Sequence, residues 1–556
     1  MKYSNYFQFA FLALMLLSII TISCQNKKEE KQRKQPKLVV GIVVDQMRYD
    51  FLYRFWDQYS EGGFKRLVNS GFSCENHHFS YSITNTAPGH ASIYSGTTPA
   101  VHGIIANDWW MKDEKRMTYC VEDLSVSPIG IDDLNERRSP RNILVTNLSD
   151  EIKINSNYKS KVIGVSMKDR GAVLPAGKLA DAAYWFTGYE GGKFVSSSYY
   201  MNELPNWVNR FNDSTIISGI LEKGWNPLYD TSTYWQSNKD NSPYEGTNNG
   251  MFEAPTFPYD LLKISERMGN VNVIKETPFI DVLVGKMALM ALSEEKLGED
   301  DFCDMLAISF SGPDYIGHNF GPRSMEIQDT YLRLDLLLEE LLSDLDKKVG
   351  AGNYTVFLTS DHGVSISTQE LIDHKVNVNY FDNKGFLSFV KQSTKDKYGI
   401  DNIIENISND QIFLNEKLLI ENNIEVSDIE KYLAFKIMEF DGVSISATAT
   451  SIREGSFIDY RLMLQKSYNQ KRSGNVLYEV NPGWKRYYKL TGSEHGTVYA
   501  NDTHVPFILY GWGIPHGSTH RRTLVEDIAP TINSLLHTQQ AMGSTGNPVW
   551  ELWQEE

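Results

Sequence analysis

Lys37-Leu-Val-Val-Gly-Ile-Val-Val-Asp45 is the stretch that decides the fold. It is an unbroken apolar run rich in β-branched residues, as expected of a strand buried on both faces of a parallel sheet. The run ends in an acid. Two later runs repeat the design: Met305-Leu-Ala-Ile-Ser-Phe-Ser311 leads to Asp314, and Tyr354-Thr-Val-Phe-Leu-Thr359 leads to Asp361. Between them, residues 325 to 348 carry Leu332, Leu334, Leu337, Leu341 and Leu345 at helical spacing, which predicts a long amphipathic helix. Strand, helix, strand is the pattern of an α/β fold with a mostly parallel central sheet flanked by helices. Residues 505–510 and 523–536 supply a further strand and helix. Open parallel sheets gather functional groups beyond the carboxyl ends of their strands, so Asp45, Asp314 and Asp361 point at one shared site. Any one of them alone would be read as a turn or cap residue; their neighbours argue otherwise.

The bulk numbers set limits. A chain of 556 residues with 41% hydrophobic and 22% charged residues has the composition of a large globular domain carrying insertions. A formal net charge of −16 argues against nucleic acid as a partner, since a duplex binder needs a basic face. It also requires that any anion site be made locally positive by metals and a few cations.

Residues 7 to 22 are almost wholly apolar and are followed by Ser23-Cys24. The stretch is short for a membrane span and has the build of a secretory signal. Ser23 before Cys24, with a polar Lys/Glu/Gln-rich tail behind, resembles a bacterial lipoprotein signal, although Thr21 stands where such signals carry Leu. That likeness implies removal of residues 1–23, a lipid on Cys24 as the only membrane attachment, and residues 24–37 as a flexible tether. Export to the periplasm or the outer membrane follows from it. Residues 38–556 are then the folded domain. Stretches at about 171–300 and 366–490 depart from the alternating pattern and read as insertions, the first, rich in Tyr and Trp, as a cap that selects substrate. With Cys24 set aside, Cys74, Cys120 and Cys303 remain. Export permits a disulfide, and Cys74–Cys120 is the expected pair because the two flank the segment around Thr86.

The chemistry lies in the residues beside the three acids. Asp314-Tyr-Ile-Gly-His318 sets a carboxylate and an imidazole four apart; Asp361-His362-Gly363 sets them side by side; His495 lies in Ser-Glu-His495-Gly. Three Asp and three His are ligands suited to zinc, enough for two ions and too many for one. In Thr84-Asn-Thr86-Ala-Pro88-Gly-His90, Pro88 suits the first turn of a helix. That places Thr86 where free N–H groups and the helix dipole favour an anion, although the simplest task for such a Thr is an N-cap.

Asp45, Thr86, Asp314–His318, Asp361–His362 and His495, in that order, resemble the alkaline phosphatase superfamily, over nearly all of the chain after the tether. The likeness implies two Zn²⁺ ions, one held by Asp45, Asp361, His362 and Thr86, the other by Asp314, His318 and His495. Thr86 is then the nucleophile, forming a phosphothreonine. Lys168-Asp-Arg170, after the predicted strand 161–166, resembles the Lys-x-Arg pair of the phosphate-irrepressible alkaline phosphatases, whose nucleophile is also Thr, and Asn107 matches their Asn donor. Asn107, Lys168 and Arg170 are therefore the expected phosphate-binding residues, and small phosphate monoesters the expected substrates. A phosphodiesterase or nucleotide pyrophosphatase on the same scaffold is the alternative, and a surface lipoprotein that binds metal or phosphate without turnover is a third. Sulfatases need a Cys or Ser nucleophile in a motif absent here. Of the other histidines, only His90 and His102 lie close enough in sequence to support the site.

Overall fold

The computed structural model describes residues 35–486 and 490–553; the expected signal and all but the end of the tether lie outside the described residues. Its centre is a ten-stranded sheet. Numbered along the chain, these strands are β1 (Leu38–Val44), β2 (Phe72–Cys74), β3 (Pro128–Ile129), β4 (Val162–Ser166), β5 (Ala182–Thr187), β6 (Lys193–Ser197), β7 (Asp304–Phe310), β8 (Tyr354–Thr359), β9 (Phe507–Gly511) and β10 (Gly517–Thr519). Their spatial order is β10-β2-β9-β8-β1-β7-β4-β5-β6-β3. The middle five, β8 to β5, are parallel. β9 and β6 close this block antiparallel on either side.

β1 is buried along its whole length, and its alternating side chains serve two cores. Leu38, Val40, Ile42 and Val44 face a cluster with α3 (Phe279–Glu294) and α5 (Met325–Leu345). Val39 and Val43 face another containing residues of α1 (Thr86–Ser95) and α6 (Ile528–Leu536). A strand covered on both faces favours apolar residues at successive positions, which explains the unbroken run. Gly41 is the exception that seats α1: a Cβ there would collide with the Tyr94 hydroxyl and the Phe357 ring.

Two expectations need correction. Residues 171–300 are not a cap throughout: most of α2 (Asp169–Ala176), β5, β6 and α3 belong to the central sheet and its covering helices. Residues 366–490 do build a separate layer, a four-stranded antiparallel sheet of Ile404–Ser408, Gln411–Leu414, Val476–Val480 and Val443–Thr448 around its own core. The Cys74–Cys120 disulfide is absent, because the two residues belong to different cores, and Cys74, Cys120 and Cys303 are buried free thiols. Burial pushes the Cys74 thiol up to about 12. No helix among the described residues is long and apolar enough to cross a membrane.

Candidate active site

Four neighbouring parallel strands deliver their next residues to one place. β1 runs into Asp45, β7 into α4 (Gly312–Phe320) with Asp314 in its first turn, β8 into Asp361 and His362, and β4 into Lys168. The four-residue spacing of Asp314 and His318 puts them on one face of α4, with Nε2 of His318 3.2 Å from Oδ1 of Asp314. His495 arrives from the loop before β9, its Nε2 3.6 Å from the same oxygen. Nε2 of His362 lies 3.4 Å from Oδ1 of Asp45 and 3.7 Å from Oδ2 of Asp361. The rings of His362 and His495 stack at 3.5 Å between centroids.

All three imidazoles are oriented in the same way. Nδ1 of His362 lies 2.9 Å from the Gly363 carbonyl, that of His318 2.9 Å from the Ser493 carbonyl, and that of His495 2.8 Å from the Thr84 carbonyl. A carbonyl only accepts, so each Nδ1 carries a proton and each Nε2 is turned toward the acids, the orientation of metal-ligating histidines. Burial holds His362 and His495 below the ordinary imidazole value and so neutral. Burial pushes His318 down too, but the Asp314 carboxylate outweighs it and raises the ring.

Two of the acids keep one oxygen without a partner. Oδ1 of Asp45, Oδ2 of Asp361 and Nε2 of His362 are buried without a hydrogen bond. Burial, and then the charge of Asp361, hold the Asp45 carboxyl well above its usual range. Burial works in the same direction at Asp314, where Lys168 together with His318 and His495 reverses it and keeps the group ionised. Three carboxylates against one ammonium is an unstable buried arrangement unless cations complete it. Two sets bring their ligand atoms within 4.8 Å of one another: Asp314, His318 and His495, and Asp45, Asp314 and His362. Asp314 thus stands between both, and the donor set fits divalent metal.

Thr86 is the first residue of α1, not its N-cap, which is Asn85. Gly89 lets this turn approach the metal-facing loop, since a Cβ would strike the Asp361 backbone. The Thr86 hydroxyl lies 3.3 Å from Nζ of Lys168, and that ammonium also bonds Oδ2 of Asp45 at 2.7 Å and Oδ2 of Asp314 at 2.6 Å. Asn107 accepts from the Ala87 N–H at 2.9 Å through Oδ1, which leaves its amide hydrogens for another acceptor. Arg170, in α2, donates from Nη1 to the Tyr119 hydroxyl at 2.9 Å, while its buried Nε has no partner.

Thus Asp45, Thr86, Lys168, Asp314, His318, Asp361, His362 and His495 converge, with Asn107 and Arg170 held on α1 and on Tyr119. His90 lies 3.4 Å from Oδ2 of Asp361 and bonds Ser309; His102 binds Ser92 instead. Sequence reading missed Gln46 and Tyr119. Gln46 takes a left-handed backbone (φ 68°), so that its N–H reaches Asp361 and its amide reaches Asp314 at 2.6 Å. Gly317 leaves the space for that amide, so the glycine inside the Asp314–His318 motif was the available signal.

The model of the type I phosphodiesterase / nucleotide pyrophosphatase family matches residues 39–504. The chain belongs to that family. Like this member, an alkaline phosphatase, PafA, from Elizabethkingia meningoseptica spans nearly the same length: identity is 40% over 97% of this chain and 98% of the relative. A Myroides odoratus relative, named a calcium-transporting ATPase, is 40% identical over 93% of this chain and 95% of its own. The crystal structure of wild-type PafA superposes with a TM-score of 0.89 at 39% identity, covering 93% of this family member and 99% of that chain. The resemblance to the alkaline phosphatase superfamily, and the α/β fold it implied, are borne out.

Proposed function

We propose that this chain is a zinc-dependent alkaline phosphatase that hydrolyses small phosphate monoesters through a phosphothreonine on Thr86. The observation that carries this reading is the Thr86 hydroxyl at a helix N-terminus, beside three buried carboxylates and three imidazoles whose Nε2 atoms face them. The 40% identity to a protein named alkaline phosphatase supports it. Two zinc ions, held by Asp45, Asp361 and His362 with Thr86 and by Asp314, His318 and His495, would supply Lewis acidity to the attacking and departing oxygens.

The chain's own residues do the rest. Burial and the first turn of α1 fix the Thr86 hydroxyl for in-line attack. The Lys168 ammonium, 3.3 Å away, favours its deprotonated form. The Asn107 amide and the Arg170 fork are left with donors for non-bridging phosphate oxygens. A monoester dianion offers one more charged oxygen than a diester, so Lys168 and Arg170 reward the monoester. Residues 1–23 serve export in this reading, with Cys24 as the lipid-bearing residue and the periplasm or outer membrane as destination.

The test uses protein lacking the first 24 residues, with nitrophenyl phosphate, its bis-ester and ATP as substrates, each assayed as purified, after chelation and after zinc is restored. The proposal expects preference for the monoester that is lost on chelation and returns with zinc. A preference for the bis-ester would favour the phosphodiesterase reading, which the description of the family model supports. No turnover of any of the three by zinc-loaded protein would favour a non-catalytic binding protein.

A further inference from the structure

Beside the metal-binding residues, on the side of His495, lies a cavity of about 440 Å³, a size that takes a small organic ligand. Ile83, Asn85, His495 and Gly496 form its floor. Its wall comes from the layer built by residues 366–490, not from the Tyr- and Trp-rich stretch that the sequence suggested. The wall is anchored. The hairpin turn Asn409-Asp410 takes left-handed backbone at both residues (φ 50° and 55°), and the Asn409 amide donates to the Asp108 carbonyl at 2.7 Å, next to Asn107. Arg486, which also lines the cavity, pairs with Asp410 and fixes the turn.

The lining is half spent. Ile83, Leu387, Ile407 and the edge of Phe386 offer apolar surface. Among the polar groups, the Ser408 hydroxyl is buried without a partner, and among the described residues no interaction engages the side chains of Asn85, Asn383 or Lys384. A short alkyl alcohol would leave the space unfilled. An aliphatic chain or a plain aromatic ring would fill it but desolvate these donors and acceptors without replacement bonds, which a polar site rejects strongly. A ring with one C–H face and several hydroxyls satisfies both halves.

We propose that this cavity seats the leaving group of the ester, and that it is built for a cyclic polyol, the sugar of a sugar phosphate. The proposal rests on the phosphatase reading above and deepens it. The hydroxyls engage Asn85, Asn383, Lys384 and Ser408, and the C–H face lies on Ile83 and Leu387.

Glucose 6-phosphate and ethyl phosphate both release a primary alcohol, so the ratio of their kcat/KM values reports recognition of the sugar. The measurement is made on zinc-loaded enzyme, on an Asn383→Ala/Ser408→Ala double variant, and on Leu387→Trp, which narrows the half-exposed mouth. The parent ratio exceeds ten, and each variant lowers it about tenfold, equivalent to about 1.4 kcal/mol. A parent ratio near one, or ratios in both variants within twofold of the parent, would overturn the proposal and leave the phosphatase reading standing. Hydrolysis of neither ester would overturn both.

Discussion

Removing one hydroxyl, in Tyr119→Phe, isolates the positioning of Arg170. The Tyr119 hydroxyl accepts from Nη1 of Arg170 at 2.9 Å and donates to Oδ1 of Asp169 at 2.5 Å. Asp169 in turn receives Nε of Arg138, whose guanidinium lies 4.9 Å over the Tyr119 ring. Phe keeps the ring and its cation contact but leaves the Arg170 fork with only the longer ion pair from Nη1 to Oδ1 of Asp169 at 4.0 Å. A hydrogen bond to a charged group is worth about 1.5–3 kcal/mol, so the expected loss in kcat/KM for a monoester is roughly 10- to 150-fold. The diester has a bulky group in place of one charged oxygen and gains less from Arg170; its kcat/KM should fall by no more than about threefold. The assay compares nitrophenyl phosphate with its bis-ester on zinc-loaded parent and variant. Equal losses on both esters would mean damage to the metal-binding residues. No loss on either would mean that Arg170 needs no tether, and both outcomes refute the reasoning.

Thiols and acids give two further tests. Protein lacking its first 24 residues should show no reactive thiol when folded and three after denaturation without reductant, because Cys74, Cys120 and Cys303 are buried and free; two missing thiols would restore the disulfide. Glu245 and Glu326 form a buried pair near Asp240 and the Tyr259 hydroxyl. Burial holds both carboxyls above their usual range, reinforced at Glu245 by Glu326 and at Glu326 by Asp240. Such groups keep their protons in the folded state but lose them when unfolded, so stability falls as pH rises from the ordinary carboxyl value toward the raised one. Glu326→Gln should therefore flatten the decline of Tm between pH 5 and 8, roughly the range spanned by that shift; an unchanged slope would contradict it.

The parts legible in the sequence were those where one requirement fixed composition. β1, β7 and β8 are buried at every position and mostly apolar because helices cover both faces of the sheet, and the residues just beyond their ends supply Asp45, Asp314 and Asp361. β5 and β6 escaped notice because their Tyr, Trp and Ser residues resemble a surface segment. Their polar atoms are buried but bonded: Trp185 donates to Glu136, Ser196 to the Ala183 carbonyl and Ser197 to that of Arg138. A side chain satisfied by a distant partner carries no local mark of burial. The same holds for Tyr119, fifty residues before Asp169. Gln46 owes its place to a backbone twist that only the folded chain requires. The expected disulfide failed for the related reason that a cysteine count carries no distance.

The central claim is that Thr86 itself takes the phosphoryl group. Zinc-loaded protein is mixed with excess nitrophenyl phosphate, quenched in acid within the first turnovers, digested and read by mass spectrometry. The account predicts a phosphoryl group on Thr86, present in the parent and in Thr86→Ser on the serine, absent in Thr86→Ala, with kcat/KM in the Ala variant down by about 10³-fold or more. Full activity in Thr86→Ala, or a phosphoryl group trapped on another residue, would contradict it.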